Sequence, residues 1–492
     1  MPQPLPMTVK AQRVLVAAVL VVLAIRAAAV PLFTFSIADY PLDYVIAEGD
    51  QLVYLHRLLH GETIYSDSTG FPLIGNVYPP VFPTIMWLAG HVFPPTLAML
   101  RLLSLVPLFG SMLLIGLFLK RAGAPKALIA AGVLLLPCCY SSAQFLTYVR
   151  CDGWMAMFAL ASLYCLTELP EATSRASTGR IVLGALFAAL ALFTKQTALI
   201  GVAAVLLHLV ISRWRQGLLA IAATGIFCGA FLGLSLWRFG PVMLDAMFFL
   251  TVRRTFEAER FGALLMPEVT ALAVVIVVSA VRMVTHIVKR KWDMLDTYIV
   301  AHSAVIGLVL YDCSGTNYFL PAYLGFVLAT VLSVHDLLQA SWRRERVLAG
   351  AAAMLALQLF LQHPYSKVFE GPTKDEWAEA RRAAEFLQAA AGPVYCERFW
   401  APVADRPSTL RYFVEPTHMR TLPPDRLPLL KFTEPFREKK FERMLIYYPQ
   451  SFHYDGFCYL VTQFYRVERV AKLRVCFGQP WNAEVAYLVR KE

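Results

Sequence analysis

The stretch that decides the fold runs from residue 39 to residue 83 and reads DYPLDYVIAEGDQLVYLHRLLHGETIYSDSTGFPLIGNVYPPVFP. It lies between two strongly apolar runs but is itself too polar to cross a bilayer. In a chain that is otherwise basic, this stretch concentrates carboxylates, at Asp39, Asp43, Glu48, Asp50, Glu62 and Asp67. Ionisable residues held beside spanning helices usually have a function. We therefore predict that this loop carries the functional site and that the hydrophobic helices hold the loop.

The composition is that of a membrane protein. The chain has 492 residues, 58% of them hydrophobic and 16% charged, with a mean hydropathy of +0.55. Soluble proteins carry roughly 25% charged residues. Apolar runs of about 18 to 22 residues alternate with Arg and Lys clusters, which is typical of membrane-spanning helices. Such basic loops explain the net charge of +11, so nucleic acid is not expected as a partner. The nine cysteines show neither a disulfide framework nor metal spacing.

The basic residues also predict the orientation of the spans. Lys10 and Arg13 precede the first apolar run, which places the N-terminus in the cytoplasm and the acidic loop outside. The segment from Val81 to Phe93 is short and flanked by prolines, so we predict a helix on the outer membrane surface rather than a span. Eleven spans are then expected, at residues 14–35, 97–119, 127–145, 153–169, 181–193, 197–211, 218–237, from 269 to about 288, 298–311, 318–338 and 347–361.

The character of the sequence changes after His363. Residues 375–390 have apolar positions at helical spacing, and the runs AGPVYCERFW and RMLIYYP are typical of short strands. We therefore predict a transmembrane domain over residues 1–363, with its first outer loop at 36–96, and a small extracytoplasmic α/β domain over 364–492.

Carboxylates on the outer side are the candidates for acid–base chemistry. The triplet Glu48–Gly49–Asp50 opens a predicted helix, so Asp50 fits a capping role and Glu48 is placed to take a proton from a nucleophile. Which of the two acts as the base stays open. Asp152 follows Arg150 at the outer mouth of two spans; it is either a helix cap or a second functional carboxylate.

Cationic side chains on the outer side are candidates for binding phosphate. Lys195 lies near the outer tip of a helical hairpin, where it either snorkels to the interface or supplies a point charge. Arg253, Arg254 and Arg260 form a cluster that suits a lipid phosphate or pyrophosphate. The alternative for this cluster is pairing with glutamates on the same helix, which the spacing permits.

Carboxylates that face a phosphate-binding set at a bilayer surface suit one reaction. A sugar linked to a lipid phosphate enters from the membrane, a carboxylate activates an acceptor hydroxyl, and the phosphate leaves. Direct attack inverts the anomeric centre. If Lys and Arg neutralise the leaving group no metal is required, although a divalent cation is left open.

Several short motifs support this interpretation by their order. They are the acidic helix with its Gly-x-x-x-Tyr ending (EGDQLVYLHRLLHGETIY), YPP at 78–80, RLLSL at 101–105, RCD at 150–152, FTKQT at 193–197 and NYFLP at 317–321. Over about residues 10 to 340 the chain resembles the GT-C membrane glycosyltransferases. Within them it is similar to bacterial protein O-mannosyltransferases and lipid A aminoarabinose transferases.

The resemblance implies a polyprenyl-phosphate sugar donor, an extracytoplasmic site and a bacterial inner-membrane location. It implies that Glu48 is the first-loop catalytic carboxylate, although this chain has Ala47–Glu48–Gly49–Asp50 where relatives more often have an Asp–Glu pair. It matches Asp152 to the second acidic site and Lys195 to a polar position near the donor. The expected substrate-lining residues are Tyr78, Gln196, Asn317 and Tyr318.

Two alternatives come from other classes of protein. A transporter or flippase for a lipid-linked substrate also needs many spans, but its ionisable sites usually lie near mid-membrane rather than at one rim. A structural envelope protein that has lost activity would have less reason to keep these carboxylates and Lys195. The sequence names neither the sugar nor the acceptor, which is a glycan, a lipid or a protein.

Overall fold

The protein is described by a computed structural model that covers residues 9–44, 48–65, 76–167, 175–248, 256–311, 315–341, 344–397, 400–406, 429–448, 457–477 and 479–491. Helices dominate up to residue 369, and a four-stranded sheet lies near the C-terminus. The membrane-embedded helices in chain order are α1 Val9–Ser36, α4 Leu97–Leu103, α5 Leu105–Arg121, α6 Lys126–Cys138, α8 Cys151–Leu166, α9 Arg175–Leu192, α10 Ala198–Ser212, α11 Trp214–Phe239, α14 Ala273–Val288, α15 Met294–Ile306, α16 Leu320–Ala340 and α17 Arg344–Leu361.

Shorter helices connect these segments. They are α2 Glu48–Leu59, α3 Val81–Val92, α7 Tyr140–Ala143, α12 Val242–Phe248 and α13 Met266–Ala271. The helix predicted after the acidic triplet is confirmed as α2, and Gly61 just beyond its end has a φ of +77°, a left-handed conformation that glycine adopts without strain. The surface helix is confirmed as a helix over Val81–Val92.

Each of the eleven predicted spans coincides with helical structure in the described residues. By length and composition alone, four helices there are long and apolar enough to cross a membrane, or seven if three bent pairs each count as one span. Helices of 10–17 residues occupy the other predicted spans. The chain is thus a polytopic helical protein, as predicted.

The C-terminal part forms a small α/β unit. Helix α18, Lys374–Gln388, begins with a capping box between Thr373 and Glu376, and α19 Leu429–Arg437 and α20 Phe457–Phe464 follow. The sheet has the order β1-β2-β4-β3, with strands β1 Val394–Cys396, β2 Arg443–Tyr447, β3 Tyr465–Phe477 and β4 Gln479–Arg490. Strands β1 and β2 are the two predicted ones and run parallel, whereas the long antiparallel hairpin of β3 and β4 was not predicted.

This C-terminal unit packs directly on the first outer loop. The Tyr44 hydroxyl donates a hydrogen bond to the backbone oxygen of Glu370 at 3.1 Å. The rings of Tyr40 and Trp377 meet edge to face with centroids 5.1 Å apart. Aromatic pairs of this geometry stabilise an interface beyond the area they bury. The loop is therefore held from two sides, by the helices below it and by the C-terminal unit.

Three spans are bent, and the side chain of Gln362 connects the three bends. The helix axes turn by 68° after Cys138, by 73° after Ala271 and by 57° after Leu361. Gln362 lies in the third bend; its Oε1 accepts from the backbone N–H of Ser141 at 2.9 Å, and its Nε2 donates to the oxygen of Ala271 at 2.7 Å. The amide thus satisfies backbone groups that the other two bends release, which buried backbone requires.

Replacing Gln362 by Leu should destabilise the bundle, since it leaves a buried N–H unpaired at a cost of about 1–3 kcal/mol. We expect a lower melting temperature for Gln362→Leu in detergent. The matched control is Gln339→Leu, at an exposed position of α16, which should melt with the wild type. Equal melting of both variants and the wild type contradicts the linking role of Gln362.

Candidate active site

One buried arginine organises the first outer loop. Arg101, in α4, is only 1% exposed. Its Nη1 donates to the backbone oxygens of Ile37, Ala38 and Tyr40 at 2.7, 3.2 and 2.8 Å, and its Nη2 donates to Leu42 at 2.8 Å. A guanidinium offers five donors in a rigid fork, so it can hold several chain segments in one geometry. The turn that follows α1 is wrapped around this side chain.

Glu48 supplies the counter-charge to this arginine. Its Oε2 lies 2.6 Å from Arg101 Nη2, and both carboxylate oxygens accept from Arg101 Nε at 3.2–3.3 Å. Oε2 also accepts from the backbone N–H of Tyr44 at 3.0 Å. The carboxylate is 2% exposed. These bonds give Glu48 a structural task; its assignment as the base stays a prediction.

Asp43 is a second buried carboxylate of this loop, and sequence reasoning did not assign it a role. Its Oδ2 accepts from the backbone N–H of Gly49 at 2.7 Å, while its Oδ1 has no hydrogen-bond partner in the described part of the chain. Burial raises the pKa of Asp43 well above its usual value, and the charge of Asp50 adds to this rise. A carboxylate with a raised pKa and an open oxygen is suited to accept a proton.

The glycine between the two acids allows this arrangement. A Cβ at Gly49 would lie 2.5 Å from Asp43 Oδ1 and 2.8 Å from Oδ2, so no larger residue fits beside the carboxylate where it stands. Asp50 lies in the first turn of α2, is buried, and is close enough to Asp43 for their charges to repel. The sequence signal that could have identified Asp43 is Gly49, because a glycine between Glu48 and Asp50 at the start of a helix indicates that another group packs closely against it.

A second centre gathers most of the residues predicted from the motifs. Asp152, in the first turn of α8, is fully buried. Its Oδ1 accepts from Lys195 Nζ at 2.5 Å and from Asn317 Nδ2 at 2.6 Å, and its Oδ2 lies 3.4 Å from Arg150 Nε. Lys195 comes from the turn between α9 and α10, and Asn317 from the turn before α16. Three distant parts of the chain meet at one carboxylate.

Aromatic rings complete this centre. Lys195 Nζ lies 4.5 Å from the ring centroid of Tyr318 and 5.5 Å from that of Tyr78. Burial lowers the pKa of Lys195, but Asp152 together with Tyr318, Tyr78 and Cys151 outweighs burial and raises the pKa above its usual value. The ammonium therefore stays charged inside the protein. Gln196 donates to the backbone oxygen of Val77 at 2.6 Å and so ties the end of the first loop to this centre.

One hydroxyl joins the two centres. Ser104, at the junction of α4 and α5, is buried, and its Oγ lies 2.6 Å from the backbone oxygen of Arg101 and 2.5 Å from that of Thr147. Thr147 precedes Asp152 by one short turn of chain. Ser104 therefore links the arginine that holds the first loop to the segment that carries Asp152.

The predicted arginine cluster is only partly described. Arg260 forms an ion pair with Glu257, three residues before it, which matches the alternative interpretation of that cluster. Arg253 and Arg254 lie outside the described residues. A phosphate-binding role for these three arginines remains a prediction.

The described residues contain one group with metal-ligand chemistry. His286, Asp293 and Asp296 each offer an atom within 4.8 Å of the others. Arg282 donates to Asp293 at 2.6 Å, and His286 bonds to Asp296 at 2.6 Å, so both carboxylates already have side-chain partners. This group lies at the end of α14 and the start of α15, at the opposite end of the bundle from Asp152, and takes no part in the site around Asp152.

Comparison with known proteins places the fold. No protein-family model and no curated protein matches the sequence. Among solved structures, ArnT from Cupriavidus metallidurans in the apo state superposes with a TM-score of 0.60 at 12% identity, over 94% of this chain and 97% of ArnT. The same protein bound to undecaprenyl phosphate gives 0.61 at 12% identity, over 98% of both chains.

A second kind of structure is similar over most of the chain. The oligosaccharyltransferase of Archaeoglobus fulgidus in its apo form superposes with a TM-score of 0.55 at 11% identity, over 92% of this chain and 72% of that protein. ArnT and the archaeal enzyme share the GT-C fold. The fold implied by the sequence motifs is thus confirmed: the chain has the GT-C architecture.

The pair of Glu48 and Arg101 should dominate the stability of the first loop. Removing one partner of a buried ion pair typically costs 3–5 kcal/mol, because the other charge is left buried without compensation. We expect Glu48→Gln to lower the melting temperature strongly. The control is Glu438→Gln, which removes a carboxylate 2.6 Å from Lys440 where both side chains are 44% exposed, and it should cost about 1 kcal/mol or less. If Glu48→Gln melts no lower than Glu438→Gln, Arg101 does not hold the loop.

Proposed function

We propose that this protein is an inverting glycosyltransferase that moves a sugar from a polyprenyl-phosphate donor to an acceptor hydroxyl at the outer face of the membrane. The observation that carries the proposal is the buried set of Asp152, Lys195 and Asn317, with the partly exposed Arg150, beside a loop of buried carboxylates. The fold supports the substrate class, because ArnT has been solved with undecaprenyl phosphate and the archaeal oligosaccharyltransferase with a dolichol-phosphate and an inhibitory peptide.

In this proposal the second centre binds the donor phosphate. Lys195 and Arg150 supply positive charge and hydrogen-bond donors for the phosphate oxygens. Asp152 keeps Lys195 protonated and fixes its position, since the two atoms are 2.5 Å apart. Cations held in place before the reaction stabilise the negative charge that develops on the leaving phosphate. Tyr78 and Tyr318 shield this charge from the surrounding lipid.

The first centre activates the acceptor. We assign the base to Asp43, because its Oδ1 is open among the described residues and its pKa is raised, whereas the oxygens of Glu48 are held by Arg101 and Tyr44. Asp43 takes the acceptor proton as the hydroxyl oxygen attacks the anomeric carbon and the bond to phosphate breaks. Attack from the face opposite the phosphate inverts the anomeric centre. In this scheme Glu48 and Asp50 shape the charge around Asp43.

The basic residues at the other end of the bundle support the proposed orientation. Lys289, Arg290 and Lys291 follow α14, and Arg344 and Arg346 open α17, and such basic clusters favour the cytoplasmic side of a membrane. The carboxylates, Lys195 and the C-terminal unit then lie on the extracytoplasmic side of a bacterial inner membrane, with the N-terminus inside.

The transferase assignment can be tested with purified protein and a panel of radiolabelled polyprenyl-phosphate sugars. We expect release or transfer of one sugar by the wild type, unaffected by EDTA. Asp152→Asn and Lys195→Gln should each lose at least about 100-fold in kcat, the range expected for a group that acts on the transition state. Glu62→Gln serves as the control and should retain activity. Tight binding of one donor without turnover would favour a transporter or flippase instead.

The assignment of the base can be tested separately. Asp43→Asn keeps the shape of the side chain and should abolish transfer while its melting temperature stays near that of the wild type. Glu48→Gln, in contrast, should mainly lower the melting temperature. If Asp43→Asn remains active, and Glu48→Gln or Asp50→Asn is folded but inactive, the reaction class stands and the base is one of those two residues.

Gly49→Ala provides an independent test of the Asp43 geometry. The added Cβ would lie 2.5 Å from Asp43 Oδ1, so the carboxylate must move and lose its bond to the Gly49 N–H. We expect a loss of kcat similar to that of Asp43→Asn. Gly225→Ala in α11 is the matched control, because open space surrounds that position, and it should behave as the wild type. Full activity of Gly49→Ala contradicts the need for this placement of Asp43.

A further inference from the structure

A polar cavity opens at the end of the bundle opposite the proposed active site. Its volume is about 440 Å³, and the ends of α5, α8, α10 and α16 and the start of α15 surround it. Helix α8 runs from Asp152 at one end to Thr167, which lines the cavity, just beyond the other, a length of about 24 Å. The transfer reaction therefore does not use this cavity. Its size is that of a small-molecule or head-group site rather than of a single water.

One wall of the cavity is negatively charged. Arg282, in α14, is surrounded by three carboxylates: it lies 2.6 Å from Asp293, 3.4 Å from Asp336 and 3.6 Å from Asp296. One guanidinium cannot neutralise three carboxylates. His286 bonds to Asp296, and even its protonated form leaves this wall with a net negative charge. Asp336 is 63% exposed, so its carboxylate is available from the cavity.

The lining of the cavity also carries positive charge. Arg121, at the end of α5, and Arg213, between α10 and α11, both line the cavity. Arg121 uses its Nη1 to donate to the backbone oxygens of Tyr164 and Thr167 at 2.8 and 3.2 Å, which are neutral partners. These bonds engage a single nitrogen of its guanidinium, so further N–H groups on the same plane can donate to an anion.

The indole of Trp292 lies beside the negative wall. It lines the cavity next to Asp293 and follows the basic run Lys289–Arg290–Lys291. Tryptophan rings are enriched where a bilayer meets water, and their faces attract ammonium groups. The cavity thus combines an ammonium site of Asp336, Asp293 and Trp292 with an anion site of Arg121 and Arg213.

We propose that this cavity binds a zwitterionic aminoalkyl phosphate, with its phosphate toward Arg121 and Arg213 and its primary ammonium toward Asp336 and Asp293. A purely anionic group would face the two carboxylates, and a quaternary ammonium could not donate hydrogen bonds to them. The ligand of this chemistry in a bilayer is a phosphatidylethanolamine head group, which reaches the cavity from the adjacent leaflet. A soluble phosphoethanolamine ester has the same chemistry.

The proposal is tested by native mass spectrometry of the full-length protein in detergent, with phosphatidylethanolamine, phosphatidylcholine and phosphatidylglycerol of identical acyl chains. The wild type should bind the ethanolamine lipid at least about 5-fold more tightly than the other two. Asp336→Asn, at an exposed position, should remove this preference without weakening phosphatidylglycerol binding. Arg121→Gln should weaken the binding of both the ethanolamine and the glycerol lipid by about 5-fold.

Lys120→Gln is the matched control, because Lys120 is an exposed neighbour of Arg121 that does not line the cavity, and it should change each affinity less than 2-fold. Competition by glycerophosphoethanolamine shows that the head group alone suffices, whereas competition only by intact lipid shows that the chains contribute; both outcomes support the site. Equal affinity for the three lipids, preference for the anionic lipid, or an ethanolamine preference that survives Asp336→Asn overturns the proposal.

Discussion

The arrangement of the outer site depends on one buried guanidinium. Arg101 reaches from α4 into the turn after α1 and donates to four backbone oxygens of that turn, and it meets Glu48 at the start of α2. A charge buried this deeply is costly unless all its donors are used and a counter-charge lies beside it. Because both conditions hold here, the backbone of the loop has little freedom to adopt another path. This path in turn sets the positions of Asp43 and Gly49.

The two centres divide the work of the proposed reaction. Around Asp152 the cations outnumber the carboxylates, as a site for a departing phosphate requires. In the first loop, Asp43 is buried near the charges of Asp50 and Glu48, and these charges with burial outweigh the effect of Arg101 and keep the pKa of Asp43 raised. Ser104 links both centres through the backbone oxygens of Arg101 and Thr147, so it helps to fix their separation. The C-terminal unit closes the loop from above through Tyr40, Tyr44 and Trp377.

Sequence reasoning reached the fold and the second centre because their signals are local. Hydropathy and basic loops locate the spans, and motifs at span ends identify Asp152, Lys195 and Asn317, which the structure then brings together. Local signals could not identify Arg101 as the partner of Glu48. Arg101 lies 53 positions away in the sequence, and most hydrogen bonds of its guanidinium go to backbone oxygens. Asp43 was overlooked because an acid in a loop carries no periodic signal. The hairpin of β3 and β4 was missed because charged residues interrupt the apolar pattern of β3, which reads YRVERVAKLRVCF.

The most direct test of this account is an experimental structure of the full-length protein in a nanodisc with undecaprenyl phosphate bound. The account predicts phosphate density within about 3 Å of Lys195 Nζ or the guanidinium of Arg150, with the open oxygen of Asp43 facing the side from which an acceptor would approach. Phosphate density that contacts neither Lys195 nor Arg150, while both remain bonded to Asp152 around an empty site, would contradict the account.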